Sequence, residues 1–134
     1  MTACYLDASA LVKLATDEAE TRALRSHVEH YDSQTTSRVS TVEVPRALTR
    51  KGPSSFAAVV EPWADLIHRL LIIELDAAIA ASASVMAPPT LRSLDAIHLA
   101  SALSIRDELE VLITYDRRLA DAARAAGLAV EAPA

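Results

Sequence analysis

Two apolar runs far apart in the chain, Ala3–Leu6 and Val111–Thr114, each reach an aspartate within two residues and then pass into a helical pattern. A short apolar run flanked by polar residues is a strand buried on both faces, the kind found in parallel sheets. An aspartate at its end is a ready cap for the helix that carries the chain back. Asp7 and Asp116 hold these two positions. In an open parallel sheet, strand ends of this kind gather at one edge, and ligands bind there.

The rest of the chain fits between these junctions. Leu11, Val12, Leu14 and Ala15 have helical spacing, and Asp17 with Glu20 resembles a capping pair for a second helix carrying Leu24 and Val28. The polar run Asp32–Ser40 predicts a short strand, followed by a helix through Val42, Glu43, Ala47 and Leu48. Pro45 costs that helix a backbone hydrogen bond and is expected to bend it. Lys51-Gly52-Pro53 closes the segment before a helix over residues 54–69, a strand over Leu70–Leu75, and an alanine-rich helix capped by Asp76 and running to Met86. Pro88-Pro89 is a break. Ser93 then caps a helix bearing Leu94, Ile97, Leu99, Ala102 and Leu103, and Asp116 starts another that Gly127 ends. Leu128–Val130 adds an edge strand. The predicted fold is α/β: one domain over residues 1–134, with a central parallel sheet of four to five short strands flanked by helices on both faces.

Composition removes several functions. The chain has two glycines, Gly52 and Gly127, too few for a P-loop or a dinucleotide-binding loop. Its one cysteine, Cys4, excludes an internal disulfide and a multi-thiolate zinc site and reads as an inert core residue. With 13 Lys+Arg against 18 Asp+Glu, the net charge of −5 argues against broad duplex binding by phosphate neutralisation. No leader-like start or bilayer-length apolar run is evident, so the expected setting is the cytoplasm with no membrane contact.

Asp7, Glu43, Asp95 and Asp116 all stand where elements meet. Singly, each has an ordinary reading: helix caps for Asp7 and Asp116, a dipole partner for Asp95, a solvated glutamate for Glu43. Converging, they carry chemistry. Two carboxylates about 4 Å apart repel by roughly 4 kcal/mol at an effective dielectric near 20, so protons or cations must neutralise such a cluster. Hard oxygen donors with open positions suit Mg²⁺ or Mn²⁺, and carboxylates, metal-activated water and phosphate together describe phosphodiester hydrolysis. Two alternatives remain at this point. Asp7 could form an aspartyl-phosphate, although Ser9 stands where the haloacid-dehalogenase pattern needs a second aspartate, and a receiver domain's acidic pair and lysine are missing. The acids could also be mere caps in a non-catalytic interaction module. Ser9 has no nucleophile-elbow context, and His98, one turn after Asp95, reads as a packed or hydrogen-bonded structural histidine.

Four stretches resemble the motifs of the PIN-domain family, in the family's order. They are Tyr5-Leu6-Asp7-Ala8-Ser9-Ala10-Leu11-Val12-Lys13-Leu14, Ser40-Thr41-Val42-Glu43-Val44, Ser93-Leu94-Asp95-Ala96-Ile97-His98-Leu99, and Thr114-Tyr115-Asp116 with the helix after it. The chain's length is similar to that of VapC toxins, which are ribonucleases inhibited by a VapB antitoxin. The resemblance implies that Asp7, Asp95 and Asp116 hold Mg²⁺ (or Mn²⁺), that Glu43 ligates or orients a bound water, and that Ser9 and Thr114 support the site. It also implies an RNA substrate cut to leave a 5′-phosphate and a 3′-hydroxyl, a VapB-type antitoxin partner and a homodimer. Arg38, Arg46, Arg92 and Arg117 are candidates for steering phosphate, with Arg92 and Arg117 nearest in sequence to a proposed ligand. Trp63 is either core or an interface anchor. Pro45, two residues after Glu43, departs from the family pattern and puts that side chain's aim in question.

Overall fold

A computed structural model describes residues 2–134. The elements run β1 (Ala3–Leu6), α1 (Ala8–Ala15), α2 (Thr21–Val28), β2 (Ser33–Ser37), α3 (Ser40–Thr49), α4 (Pro53–Arg69), β3 (Leu71–Ile73), α5 (Ala77–Ser84), α6 (Ser93–Ser104), β4 (Leu109–Ile113), α7 (Arg117–Ala125) and β5 (Val130–Glu131). The five strands form one sheet in the order β3-β2-β1-β4-β5, and every pairing is parallel. From β1 the chain builds outward to β2 and β3, then returns to add β4 and β5 on the other side. The order reverses between β1 and β4, where a cleft opens at the strands' carboxyl ends.

The period-two alternation of the strands sorts the core into two layers. Cys4, Leu6, Val111 and Ile113 point to one face and pack with Leu11 and Leu14 of α1, Leu24 of α2, Val44 and Leu48 of α3, and Trp63 and Leu66 of α4. Tyr5 and Leu112 point to the other face and pack with Leu99 and Ala102 of α6 and Leu119, Ala122 and Ala123 of α7. Trp63 is therefore a core residue. No helix among the described residues is long and apolar enough to cross a membrane.

Several local expectations change. Asp17 and Glu20 form no capping pair: α2 begins at Thr21 with Glu20 as its N-cap, and that residue makes no side-chain cap bond. Thr21 Oγ1 accepts the Glu18 backbone N–H at 2.9 Å and donates to the Lys13 carbonyl at 2.6 Å, and the Glu20 carboxylate goes to Lys13 Nζ at 3.0 Å. Ser93 is the first helical residue of α6 rather than its cap. The extended backbone that a cap requires falls one residue earlier, at Arg92, which makes no side-chain cap bond. β3 is three residues long because it is an edge strand that pairs only with Thr35–Ser37. Pro45 lies inside α3 without ending it. Its missing N–H leaves the Thr41 carbonyl without its helical partner, yet the helix continues to Thr49, whose hydroxyl donates back to the Pro45 carbonyl at 2.6 Å.

Candidate active site

Asp7 is the one buried acid among the described residues. As the N-cap of α1, its Oδ1 accepts the Ala10 N–H at 3.1 Å and the Ser9 hydroxyl at 2.6 Å, while Oδ2 accepts the Thr114 hydroxyl at 2.6 Å. Ser9 and Thr114 then tie the two strand ends together. Ser9 Oγ accepts the Tyr115 N–H at 2.9 Å, and Thr114 Oγ1 accepts the Asp116 N–H at 3.0 Å. Asp7 is 4% exposed, and this burial pushes its carboxyl pKa upward against the opposing pull of His98, Ser9 and Thr114.

Asp116 caps α7 through Oδ1, which accepts the N–H groups of Arg118 at 2.8 Å and Leu119 at 3.2 Å. Its Oδ2 is left for the pocket, 3.5 Å from Arg92 Nη2. Asp95 sits in the first turn of α6 with Oδ2 3.7 Å from Arg92 Nε. Burial raises the Asp95 pKa, and repulsion from Asp116 adds to the rise. One guanidinium, itself 67% exposed, thus bridges two carboxylates at long range. It occupies the position of a counter-charge without filling the site.

Glu43 reaches the same pocket from α3. His98 Nε2 lies 2.7 Å from Glu43 Oε1, and His98 Nδ1 lies 2.7 Å from the Tyr5 hydroxyl. Tyr5 is fully buried and His98 is 1% exposed, so β1, α6 and α3 are joined through one imidazole. His98 is the buried, hydrogen-bonded residue expected from its place on an apolar helix, and it also sets the aim of Glu43 despite Pro45. The sequence signal for its burial was a polar side chain on the otherwise apolar turn from Ala96 to Ala100.

Asp7, Glu43, Asp95 and Asp116 line one pocket of about 360 Å³, together with Ser9, Arg92 and His98. Thr114 stands directly behind it through Asp7. Arg117 is exposed, lines no part of the pocket and makes no ion pair with these acids among the described residues, although it is next to Asp116 in sequence. No three acid, histidine or cysteine side chains among the described residues are drawn together tightly enough to enclose a cation. The donor set still suits a hard ion that keeps its own waters and needs few protein ligands: the facing groups are carboxylate oxygens, and burial or mutual repulsion disfavours the charge on Asp7 and Asp95.

The model of the PIN domain matches residues 4–125, almost the whole chain. The chain belongs to the PIN-domain family. Ribonuclease VapC46 of Mycobacterium tuberculosis is 41% identical to it over 133 residues, covering 99% of each protein. Ribonuclease VapC35 of the same organism is 42% identical over 136 residues, covering 96% of each. A chain of the crystal structure of VapBC2 from Rickettsia felis, bound to a DNA fragment from their promoter, superposes with a TM-score of 0.75. It is 13% identical and covers 99% of this chain and 100% of that one, a likeness of fold. The four PIN-like motifs thus fall around one pocket at the switch point of a PIN fold. An aspartyl-phosphate fits this PIN domain poorly, because three hydrogen bonds engage both oxygens of buried Asp7.

Proposed function

We propose that this protein is a VapC-type endoribonuclease, the toxin of a toxin–antitoxin pair, acting in the cytoplasm on RNA with Mg²⁺ or Mn²⁺. The observation that carries this reading is the convergence of Asp7, Glu43, Asp95 and Asp116, from four separate elements, on one pocket beside β1 and β4. The full-length likeness to two proteins named as ribonucleases agrees with it.

Asp7, Asp95 and Asp116 are the residues that would hold the cation, which when bound lowers the pKa of a water and offsets phosphate charge. The chain's own groups do the rest. Ser9 and Thr114 fix both oxygens of Asp7, and His98 with Tyr5 fixes Glu43, which orients the attacking water. Arg92, held only by long contacts, can swing from Asp95 and Asp116 to an RNA phosphate. An antitoxin of the VapB type would block this pocket with a basic arm, since acids line it from every side. We extend the reading to a homodimer on family resemblance.

The deciding experiment is cleavage of a mixed RNA panel by wild type and Asp95→Asn, with Mg²⁺, with Mn²⁺ and with EDTA. Cleavage that needs metal and is lost in Asp95→Asn establishes the reading. Cleavage that survives in the variant means the ligands are misassigned. A second reading, a metal-free interaction module, draws on the Arg92 bridge between Asp95 and Asp116. Absence of both metal binding and cleavage in the wild type would establish that alternative.

A further inference from the structure

A groove of about 620 Å³ opens beside the acidic pocket, between α1 and α3. The two cavities share Ala8, Ser9, Glu43 and Leu94, so each continues into the other. The groove's walls are helical stripes: Ala8 and Val12 on α1, facing Val39, Val42 and Ala47 at α3. Val42 is 60% exposed and Leu94 45%, large apolar side chains left on the surface.

Farther along the groove stand Arg46 and Arg50, one turn apart and both exposed. Neither forms an ion pair among the described residues; most of the chain's arginines are likewise unpaired, but these two line one groove. The groove holds no acid except Glu43, at the end it shares with the pocket. In a chain of net charge −5, two unpaired guanidinium groups in one groove mark it as a place for an anion.

We propose that this groove carries the RNA strand leaving the scissile phosphate, with Arg46 and Arg50 each meeting a backbone phosphate. The proposal rests on the ribonuclease reading above and gives that reading its substrate track. Four helical residues rise about 6 Å, comparable to one nucleotide step of an extended strand. The planar guanidinium fork matches phosphate oxygens, and the apolar walls accept ribose and base faces. No aromatic side chain lines the groove, so stacking contributes little and binding depends on phosphate contacts and hence on salt.

The test is fluorescence anisotropy of a short labelled single-stranded RNA of mixed sequence, bound to full-length Asp95→Asn protein in EDTA over a range of salt. Adding Arg46→Ala and Arg50→Ala together is expected to weaken binding about tenfold or more and to flatten the log–log salt slope by about 1.4, some 0.7 per lost contact. Arg46→Lys with Arg50→Lys is expected to keep most of the slope, which separates lost charge from lost structure. In the Asp95-intact enzyme, the loss falls mainly on KM. Unchanged affinity and slope in the double alanine variant overturn the groove while leaving the ribonuclease reading standing. Weaker binding to an acidic helical peptide with RNA binding intact assigns the groove to a protein partner and likewise overturns the proposal. A wild type that cuts no RNA, with an Asp95→Asn protein that binds none, overturns both.

Discussion

His98 Nε2 meets Glu43 Oε1 at 2.7 Å across the space between α6 and α3, and the same ring meets the Tyr5 hydroxyl at 2.7 Å on its other side. A glutamate on a helix surface samples several rotamers, and one buried donor removes most of that freedom. His98 is 1% exposed with both ring nitrogens engaged, so it acts by fixing Glu43. Groups of this kind, one step behind a metal site, typically change affinity or activity about 10- to 100-fold when removed. His98→Ala is expected to lower kcat by that order while RNA affinity is retained. Tyr5→Phe strands a buried ring nitrogen and is expected to cost about 1–3 kcal/mol of stability. Single-turnover kinetics and thermal melts measure the two effects, and an unaltered kcat in His98→Ala would remove the positioning role.

Asp7 gives a pH-dependent stability. Its pKa is raised in the folded protein, chiefly by burial, so the folded state favours the protonated carboxyl. A group of this sign contributes stability that is fully present below its unfolded pKa and is lost as pH rises through the folded one. At neutral pH the ionised Asp7 therefore strains the fold. Asp7→Asn is expected to raise the melting temperature by a few degrees at pH 7 while abolishing cleavage. That advantage should shrink as pH falls toward 4. Melts across this range check the sign, and a destabilised variant at pH 7 would mean that the three hydrogen bonds to the carboxylate outweigh its burial.

Much of this site could be read from sequence because two of its corners are local. A buried apolar run, an aspartate and a helix suffice to place Asp7 and Asp116 at neighbouring strand ends, and both do cap their helices. The pairing of Glu43 with His98 could not be read, since 55 residues separate them and only the packing of α3 and α6 around the sheet brings them together. Proximity in sequence misled for Arg117, which the first turn of α7 exposes to solvent, and for Glu20, which serves Lys13 instead of a helix amide. Pro45 was the converse case. Its lost hydrogen bond is real, but His98 sets the aim of Glu43 from outside the helix.

A cation that binds only the folded protein stabilises it by mass action, by about 2.7 kcal/mol at a hundred times its Kd. Mg²⁺ or Mn²⁺ is therefore expected to raise the melting temperature of the wild type in a concentration-dependent way. Asp95→Asn should shift far less, because it loses a ligand and also relieves the repulsion that a cation would relieve. An equal shift in both proteins would place the ion elsewhere.

Arg92 tests whether protein and metal charges compete for the same oxygens. Its contacts of 3.5 and 3.7 Å are long and its side chain is 67% exposed, so its loss should change stability by less than about 1 kcal/mol. Removing it leaves Asp95 and Asp116 facing each other without a counter-charge, and that raises the site's demand for a cation. The same deletion takes away a guanidinium that can meet phosphate. Arg92→Ala is therefore expected to bind Mn²⁺ more tightly, by a few-fold, while its KM for RNA rises. Calorimetric metal titration and steady-state kinetics read the two sides separately. Movement of both in the same direction would show that Arg92 supports the metal site and does not compete with it.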